Sequence, residues 1–129
     1  MRVSRAIVLL AHGSRDPRWR EPIEAVARRI EARAPGVAVR CAYLELTAPD
    51  LSTVARQLVG LGTTQLRVLP MFLGMGRHAR EDLPRLVQSL RQAHPQLVVD
   101  LQPAVGENAA LIELLADLAL HNLDPANNS

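Results

Sequence analysis

The chain has 129 residues, enough for one domain with a substantial core but too few for two. Apolar residues make up 48% and charged residues 22%, as in an ordinary soluble globular protein, and no apolar run could span a bilayer. All fifteen basic residues are arginine, which excludes a lysine-dependent phosphate loop and Schiff-base chemistry. A net charge of +2 and only three aromatic residues argue against nucleic-acid binding.

The single cysteine and the N-terminal segment indicate where the protein works. Cys41 cannot form an internal disulfide, which fits a reducing compartment. The first apolar stretch is interrupted by His12 and Arg15, so it does not match a secretory signal. We therefore expect a cytoplasmic protein with no membrane partner. Residues 1–123 are expected to form a single α/β domain and residues 124–129 a flexible C-terminal tail.

The first half of the chain predicts two strand-helix units. Residues 6–11 are continuously apolar and predict a buried strand. Residues 22–34 carry apolar side chains at helical spacing, with arginines on the opposite face. Residues 37–46 predict the second strand, and a helix from Asp50 to Gly60 follows it.

The second half predicts two more units of the same kind. Residues 66–73 predict the third strand, and after a glycine-rich break its helix is expected to begin within residues 79–83 and to stop at His94 and Pro95. Residues 97–101 predict the fourth strand and residues 107–122 the last helix. The apolar stripe of this last helix is broad enough for either a buried face or a dimer interface.

Strict alternation of strands and helices predicts a parallel sheet covered on both faces. We expect an α/β, flavodoxin-like three-layer sandwich with a four-stranded parallel sheet in the order 2-1-3-4. In that order the topological switch point lies between strands one and three. Ligands bind at such a point, outside the carboxyl ends of the strands.

Three side chains of ligand type fall on this rim of the predicted sheet. His12 follows strand one, Glu45 ends strand two and His78 follows strand three, at equal spacings of 33 residues. Two imidazoles and a carboxylate suit a first-row divalent metal with coordination positions left open. Structural roles remain open alternatives: His12 could hydrogen-bond within its turn, and Glu45 could pair with a surface arginine.

Three segments, LLAHGSRDP, AYLELTAP and VLPMFLGMGRHAREDLP, resemble the signature stretches of the small sirohydrochlorin chelatases of the short CbiX and SirB type. The resemblance covers more than half of the chain. It implies an enzyme that inserts Co²⁺ or Fe²⁺ into sirohydrochlorin for cobalamin or siroheme biosynthesis, with Ni²⁺ as a further candidate. It also implies no cofactor beyond this divalent metal substrate, and a homodimer whose second subunit completes the cleft for the ring.

The resemblance implies roles for individual residues. His12 and His78 match the two catalytic histidines, which bind the metal and accept pyrrole protons, and Glu45 matches a further metal ligand or proton acceptor. Which histidine does which stays open. Five residues are expected to contact the carboxylate-rich substrate: Ser14, Arg15, Met75, Arg77 and Arg80. The arginines could bind its carboxylates in a bidentate manner, and Met75 could form part of an apolar wall against the ring. For the three arginines, a solvated position at a helix start is the alternative.

Two other classes of function are open to such a chain. A non-catalytic carrier of metal or tetrapyrrole could keep the same ligands. A flavodoxin-like signalling or phosphate-binding domain is disfavoured, because the chain has no lysine and no acidic cluster after strand one.

Overall fold

The computed structural model describes residues 4–123, in which four parallel strands form one sheet in the order β2-β1-β3-β4. The strands are β1 (Ser4–Ala11), β2 (Ala38–Tyr43), β3 (Thr63–Pro70) and β4 (Val98–Leu101). The helices are α1 (Glu21–Arg33), α2 (Leu51–Gly60), α3 (Arg77–Ala93) and α4 (Ala109–Leu120), with turns of 3-10 helix at Pro17–Arg20 and Val105–Glu107. The predicted α/β class and strand order are confirmed. The predicted C-terminal tail, residues 124–129, lies outside the described residues.

The strand register sets the position of the loops. Ala11 of β1 pairs with Tyr43 of β2, and Leu10 pairs with Pro70 of β3. These three strands therefore end at the same level of the sheet. The loops that follow them leave the sheet side by side, at the rim where the sequence places the candidate ligands.

The main core lies between the sheet and helices α2 and α3. Buried residues such as Leu58 of α2 and Val87 of α3 pack there against Val8 and Val68 of the sheet. On the other face, Ala27 of α1 packs over β1 and β2. Each buried leucine or valine stabilises the fold by about 1.5–3 kcal/mol. This burial holds the strands that carry the rim.

Several boundaries differ from the sequence expectation. Strand β2 ends at Tyr43 rather than at residue 46, so Glu45 lies in the loop after the strand. Strand β3 ends at Pro70 rather than at residue 73, and α3 begins at Arg77, ahead of the expected start within residues 79–83. Pro84 lies inside α3, although proline favours the first turn of a helix. Gly76 is the residue before the helix, and its carbonyl accepts a hydrogen bond from the Arg80 N–H at 3.1 Å.

Helix α4 is the exception to the packing. None of its twelve residues is buried. Its main packing partner within residues 4–123 is the 3-10 turn that precedes it. Every helix within residues 4–123 falls short of the length and apolar character that a membrane span requires.

Asp50 caps the N-terminus of α2 and yields a stability prediction. Its Oδ1 accepts a hydrogen bond from the Thr53 N–H at 2.8 Å, and hydrogen bonds from the hydroxyl and backbone of Thr53 lower the pKa of the Asp50 carboxyl. A carboxylate with a lowered pKa stabilises the fold above its unfolded pKa, and this stabilisation is lost as the pH falls through the folded pKa.

We predict that Asp50→Ala lowers the free energy of unfolding by about 1 kcal/mol at neutral pH. The difference from the parent should shrink below about pH 4. Urea unfolding across this pH range measures both effects. Asp50→Asn keeps an acceptor oxygen and should lose less, so an equal loss in the two variants would contradict the capping account.

Candidate active site

A cleft of about 650 Å³ opens at the carboxyl ends of β1, β2 and β3. His12 lines it from the loop after β1, Glu45 from the loop after β2, and His78 from the first turn of α3. The three candidate ligands from consecutive strand-helix units thus face one cavity. An apolar wall completes the cleft, formed by Leu44, Phe72, Leu83 and Leu86.

His12 rests on a buried aromatic ring. The centroids of the His12 and Phe72 rings are 4.3 Å apart, and the ring planes are inclined by 35°. Phe72 is only 2% exposed, whereas His12 is exposed. The phenyl ring therefore supports the imidazole from the protein side and leaves it accessible from the cleft.

Backbone contacts fix Glu45 relative to His12. The carbonyl oxygen of His12 accepts hydrogen bonds from the N–H groups of Glu45 at 2.9 Å and of Leu44 at 3.1 Å. Gly13, the residue after His12, has φ +111°, and a Cβ at this position would lie 1.7 Å from the Glu45 carbonyl oxygen. Only glycine permits this approach. The two loops are therefore joined at the backbone level, beneath their functional side chains.

Ser14 and Thr47 add a second connection between the same loops. The Thr47 hydroxyl accepts a hydrogen bond from the Ser14 N–H at 3.1 Å and donates one to the Ser14 carbonyl. The Ser14 hydroxyl accepts a hydrogen bond from the Asp16 N–H at 3.1 Å. Ser14 thus stabilises the loop and does not line the cleft, so its contact with substrate stays a prediction.

Helix α3 supplies the opposite wall of the cleft. His78 and Asp82 are four residues apart and lie on the same helix face, and both line the cleft. Arg77 also lines it; its Nε donates to Glu81 Oε1 at 3.2 Å, but its side chain is 82% exposed. Such an exposed pair contributes about 0–1 kcal/mol, so the guanidinium can exchange Glu81 for another carboxylate at little cost.

The other predicted substrate contacts lie elsewhere. Met75 and Arg80 line a smaller groove of about 270 Å³ between α3 and the loop after β4. Arg15 is exposed on the loop after β1 and does not line the cleft. Of the eight predicted site residues, the four that line the cleft are His12, Glu45, Arg77 and His78.

The three candidate ligands share the cavity without forming a ready-made metal site. Among residues 4–123, no three histidine, cysteine, aspartate or glutamate side chains lie close enough together to hold a metal ion. The expected coordination sphere of His12, Glu45 and His78 is therefore not assembled. The physical reason is their placement: two of them belong to the joined loops, and the third belongs to the helix across the cleft.

Asp82 and the apolar wall are the parts of the site that the sequence prediction missed. An aspartate four residues after a histidine in one helix was the available signal for Asp82. The predicted helix start within residues 79–83 left His78 outside the helix, so the spacing between His78 and Asp82 was not recognised. Phe72 is buried in the core and also supports His12.

The fold and cleft define a doubly wound α/β protein with a histidine-lined cleft at the topological switch point of its sheet. The family model described as CbiX matches residues 6–121. The chain belongs to the CbiX family.

Individual relatives agree with this membership. A sirohydrochlorin cobaltochelatase of Methanococcoides burtonii is 28% identical over 116 residues, covering 87% of this chain and 88% of the relative. A solved structure of a cobalamin biosynthesis CbiX protein from Marinobacter aquaeolei VT8 is 35% identical to this chain, with a TM-score of 0.78. The match covers 89% of this chain and 93% of the Marinobacter chain.

Longer proteins share the fold. Structures of SirB from Bacillus subtilis, one with cobalt and one with Fe³⁺, are 22% and 21% identical, with TM-scores of 0.74 and 0.78. The matched regions include 88% and 98% of this chain, but only 49% and 50% of the SirB chains. At this level of identity the similarity concerns the fold, and this chain spans about half the length of SirB.

The close approach of Gly13 to Glu45 yields a prediction with a matched control. Gly62 also has a positive φ, +95°, but a Cβ there would meet no atom within 4 Å. Gly62→Ala should therefore cost only the strain of the backbone, about 1–3 kcal/mol. Gly13→Ala must also displace the Glu45 backbone, so we predict a loss larger by at least about 1 kcal/mol in urea unfolding.

Amide chemical shifts give a second measurement of this contact. In Gly13→Ala, the amide signals of Leu44 and Glu45 should move, because their hydrogen bonds to His12 are disturbed. In Gly62→Ala they should stay in place. Equal destabilisation by the two substitutions, with the Glu45 signal unmoved, would show that the joined loops do not depend on Gly13.

Proposed function

We infer that this protein is a chelatase that inserts a divalent metal ion, Co²⁺ or Fe²⁺, into sirohydrochlorin. The observation that carries this inference is the single cleft lined by His12, Glu45 and His78 in a member of the CbiX family. The metal is a substrate of the reaction, and the mechanism invokes neither a nucleotide nor an organic cofactor. The proposed setting is cobalamin or siroheme biosynthesis in the cytoplasm.

Metal insertion needs both ligands and proton acceptors. The cation must lose part of its water shell, and two protons must leave the ring nitrogens. A neutral imidazole can bind a metal or accept a proton through one ring nitrogen while the other is oriented by a hydrogen bond. His12 and His78, on opposite walls of the cleft, can serve both needs, and Glu45 supplies a further acceptor next to His12.

The absence of an assembled three-residue site among residues 4–123 suits a metal that is passed on. A closed set of protein ligands is typical of structural metal sites, whereas reactive sites keep positions open. One or two of the cleft residues can hold the cation while ring nitrogens take the remaining positions. A tighter protein site would compete with the macrocycle for the metal and slow its release.

The rest of the cleft suits a flat ring with a carboxylate edge. Phe72, Leu83 and Leu86 provide apolar surface for the ring, and Asp82 is a further carboxylate beside His78. Arg77 can bind a peripheral carboxylate of the substrate in place of Glu81. Arg15 and Arg80 lie outside the cleft, where they could contact only carboxylates that project beyond it.

We further propose that the working form is a homodimer. One copy of this chain corresponds to about half of SirB, which has a similar fold over that half. Two copies would supply the equivalent of the longer chain. The second copy would provide a surface over the open side of the cleft.

Substitution of the histidines tests the catalytic proposal. We predict that His12→Ala and His78→Ala each lower the rate of metal insertion by about 100-fold or more, since positioned proton acceptors contribute at least that much. Absorbance of the metallated ring, recorded without oxygen for Co²⁺ and Fe²⁺, measures the rate. His94→Ala is the matched control, because His94 lies at the far end of α3 and outside the cleft. Folded histidine variants with the parent rate would disprove the assignment.

The same assay separates an enzyme from a carrier. With sirohydrochlorin and metal in excess over protein, an enzyme continues through many turnovers. A carrier of metal or tetrapyrrole would stop after about one equivalent. A plateau at one equivalent would favour the carrier.

Arg77 gives a prediction about substrate binding. We expect Arg77→Ala to raise KM about tenfold, equivalent to about 1.4 kcal/mol, with little change in kcat. The reason is that a contact to a peripheral carboxylate is the same before and during metal insertion. Arg29→Ala, on the exposed face of α1, is the control for charge alone. A fall in kcat at constant KM would place Arg77 in the chemical step instead.

A further inference from the structure

The charged side chains of the cleft do not match a carboxylate-rich substrate. Glu45 and Asp82 line it as carboxylates, and Arg77 is the guanidinium that accompanies them. With both histidines neutral, the lining therefore carries two negative charges against one positive charge. Carboxylates in such a cavity repel a polyanionic ring, so their presence calls for another role. The substrate of metal insertion that a carboxylate attracts is the cation.

Asp82 is not committed to a structural role. Its side chain is 71% exposed, and its Oδ1 lies 3.9 Å from Nη1 of Arg85, which is itself 78% exposed. An exposed ion pair at this distance is too weak to fix a carboxylate. Asp82 also lies beyond the first turn of α3, so it does not cap the helix. Its carboxylate can therefore leave Arg85 for a ligand in the cleft.

The spacing between His78 and Asp82 suits a shared metal ion. Both residues line the cleft, and residues four apart on one helix face have Cβ atoms about 5–6 Å apart. Two ligands at this spacing can bind one divalent cation from a single helix, as paired histidines do in helical zinc motifs. Imidazole nitrogen and carboxylate oxygen together are ligands of first-row divalent metals. The pair stands on one element and so needs nothing from the opposite wall.

We propose that Asp82 and His78 form a capture pair that binds the incoming divalent metal ion on the helix wall of the cleft. Among residues 4–123, no third side chain of ligand type lies close enough to complete the set. The ion therefore keeps most of its water and can pass on to the ring nitrogens. The inference rests on the proposed function and adds a metal-binding residue to the three predicted ligands.

Glu81 offers a matched comparison on the same helix. It precedes Asp82 directly, carries the same charge and is 50% exposed, but it pairs with Arg77 and does not line the cleft. If charge alone attracted the metal, the two carboxylates would contribute equally. If the metal is bound directly, removal of the Asp82 carboxylate alone should weaken binding.

Titration with Co²⁺ in the absence of sirohydrochlorin tests the capture pair. A site with two protein ligands is weak, so calorimetry is carried into the millimolar range. We expect Asp82→Asn to weaken Co²⁺ binding at least about tenfold, the loss that even an indirect partner of a metal ligand causes. Asp82→Glu keeps a carboxylate and should retain most of the affinity, and Glu81→Gln should bind as the parent does. Circular dichroism checks that each variant is folded.

A double-mutant cycle shows whether Asp82 and His78 bind the same ion. Once His78→Ala has removed one ligand, Asp82→Asn should lower the Co²⁺ affinity by much less than it does in the parent. In a His12→Ala background, the effect of Asp82→Asn should persist, because His12 lies on the opposite wall. Independent effects of Asp82→Asn and His78→Ala would contradict a shared ion.

The insertion assay then separates metal capture from the chemical step. We expect Asp82→Asn to raise the KM for Co²⁺ about tenfold with little change in kcat. The KM for sirohydrochlorin should not rise, since the substitution removes a negative charge that repels the ring. A fall in kcat at constant KM for Co²⁺ would place Asp82 in the chemical step and overturn its role in capture.

Three results of the titration would also overturn the capture pair: a parent that binds no Co²⁺, a folded Asp82→Asn variant with the parent affinity, or equal losses in Asp82→Asn and Glu81→Gln. The titration contains no ring, so its outcome is independent of the proposed activity. Co²⁺ binding that depends on Asp82, in a protein without insertion activity, would leave the capture pair standing and refute the chelatase. Insertion with unchanged Co²⁺ binding in Asp82→Asn would do the reverse.

Discussion

The backbone contact between the loops after β1 and β2 is the constraint on which the cleft depends. The His12 carbonyl accepts two N–H groups from the second loop, and Gly13 lies against the Glu45 carbonyl with no room for a side chain. The parallel register makes this contact possible, because β1 and β2 end at the same level. The residues that carry the imidazole and the carboxylate are thereby joined through main-chain atoms, and both residues line the cleft.

The opposite wall is built differently. His78 and Asp82 are carried by the first turns of α3, which are anchored to the core through Leu83 and Val87. Functional groups on a helix keep their mutual spacing but move with the helix as a unit. The cleft therefore combines a wall fixed by backbone hydrogen bonds with a wall fixed by side-chain packing. This division explains why three candidate ligands can share a cavity without forming a closed coordination sphere.

The sequence was sufficient for the topology and for placing the three candidate ligands on one rim, but not for the contact between the loops after β1 and β2. Buried strands such as β1 are continuously apolar, and strict alternation leaves few arrangements other than a parallel sheet. Spacing then brought His12, Glu45 and His78 to one rim. The start of α3 was misplaced because its first two residues, Arg77 and His78, are polar and do not show the apolar period of a helix, and Asp82 was missed with it. The exposure of α4 could not be predicted, since the same leucine stripe is expected for a helix that packs on its own sheet.

Four glycines close to the rim differ in what surrounds them, and this difference bears on how the family can diversify. Gly13 and Gly106 press against carbonyl oxygens, whereas a Cβ at Gly74 or Gly76 would meet no atom within 4 Å. Substitutions at positions 13 or 106 should be selected against, whereas the segment leading into α3 can accept substitutions. Evolutionary tuning of metal preference would then concentrate in that segment, beside His78, where new side chains can be tried without rebuilding the scaffold.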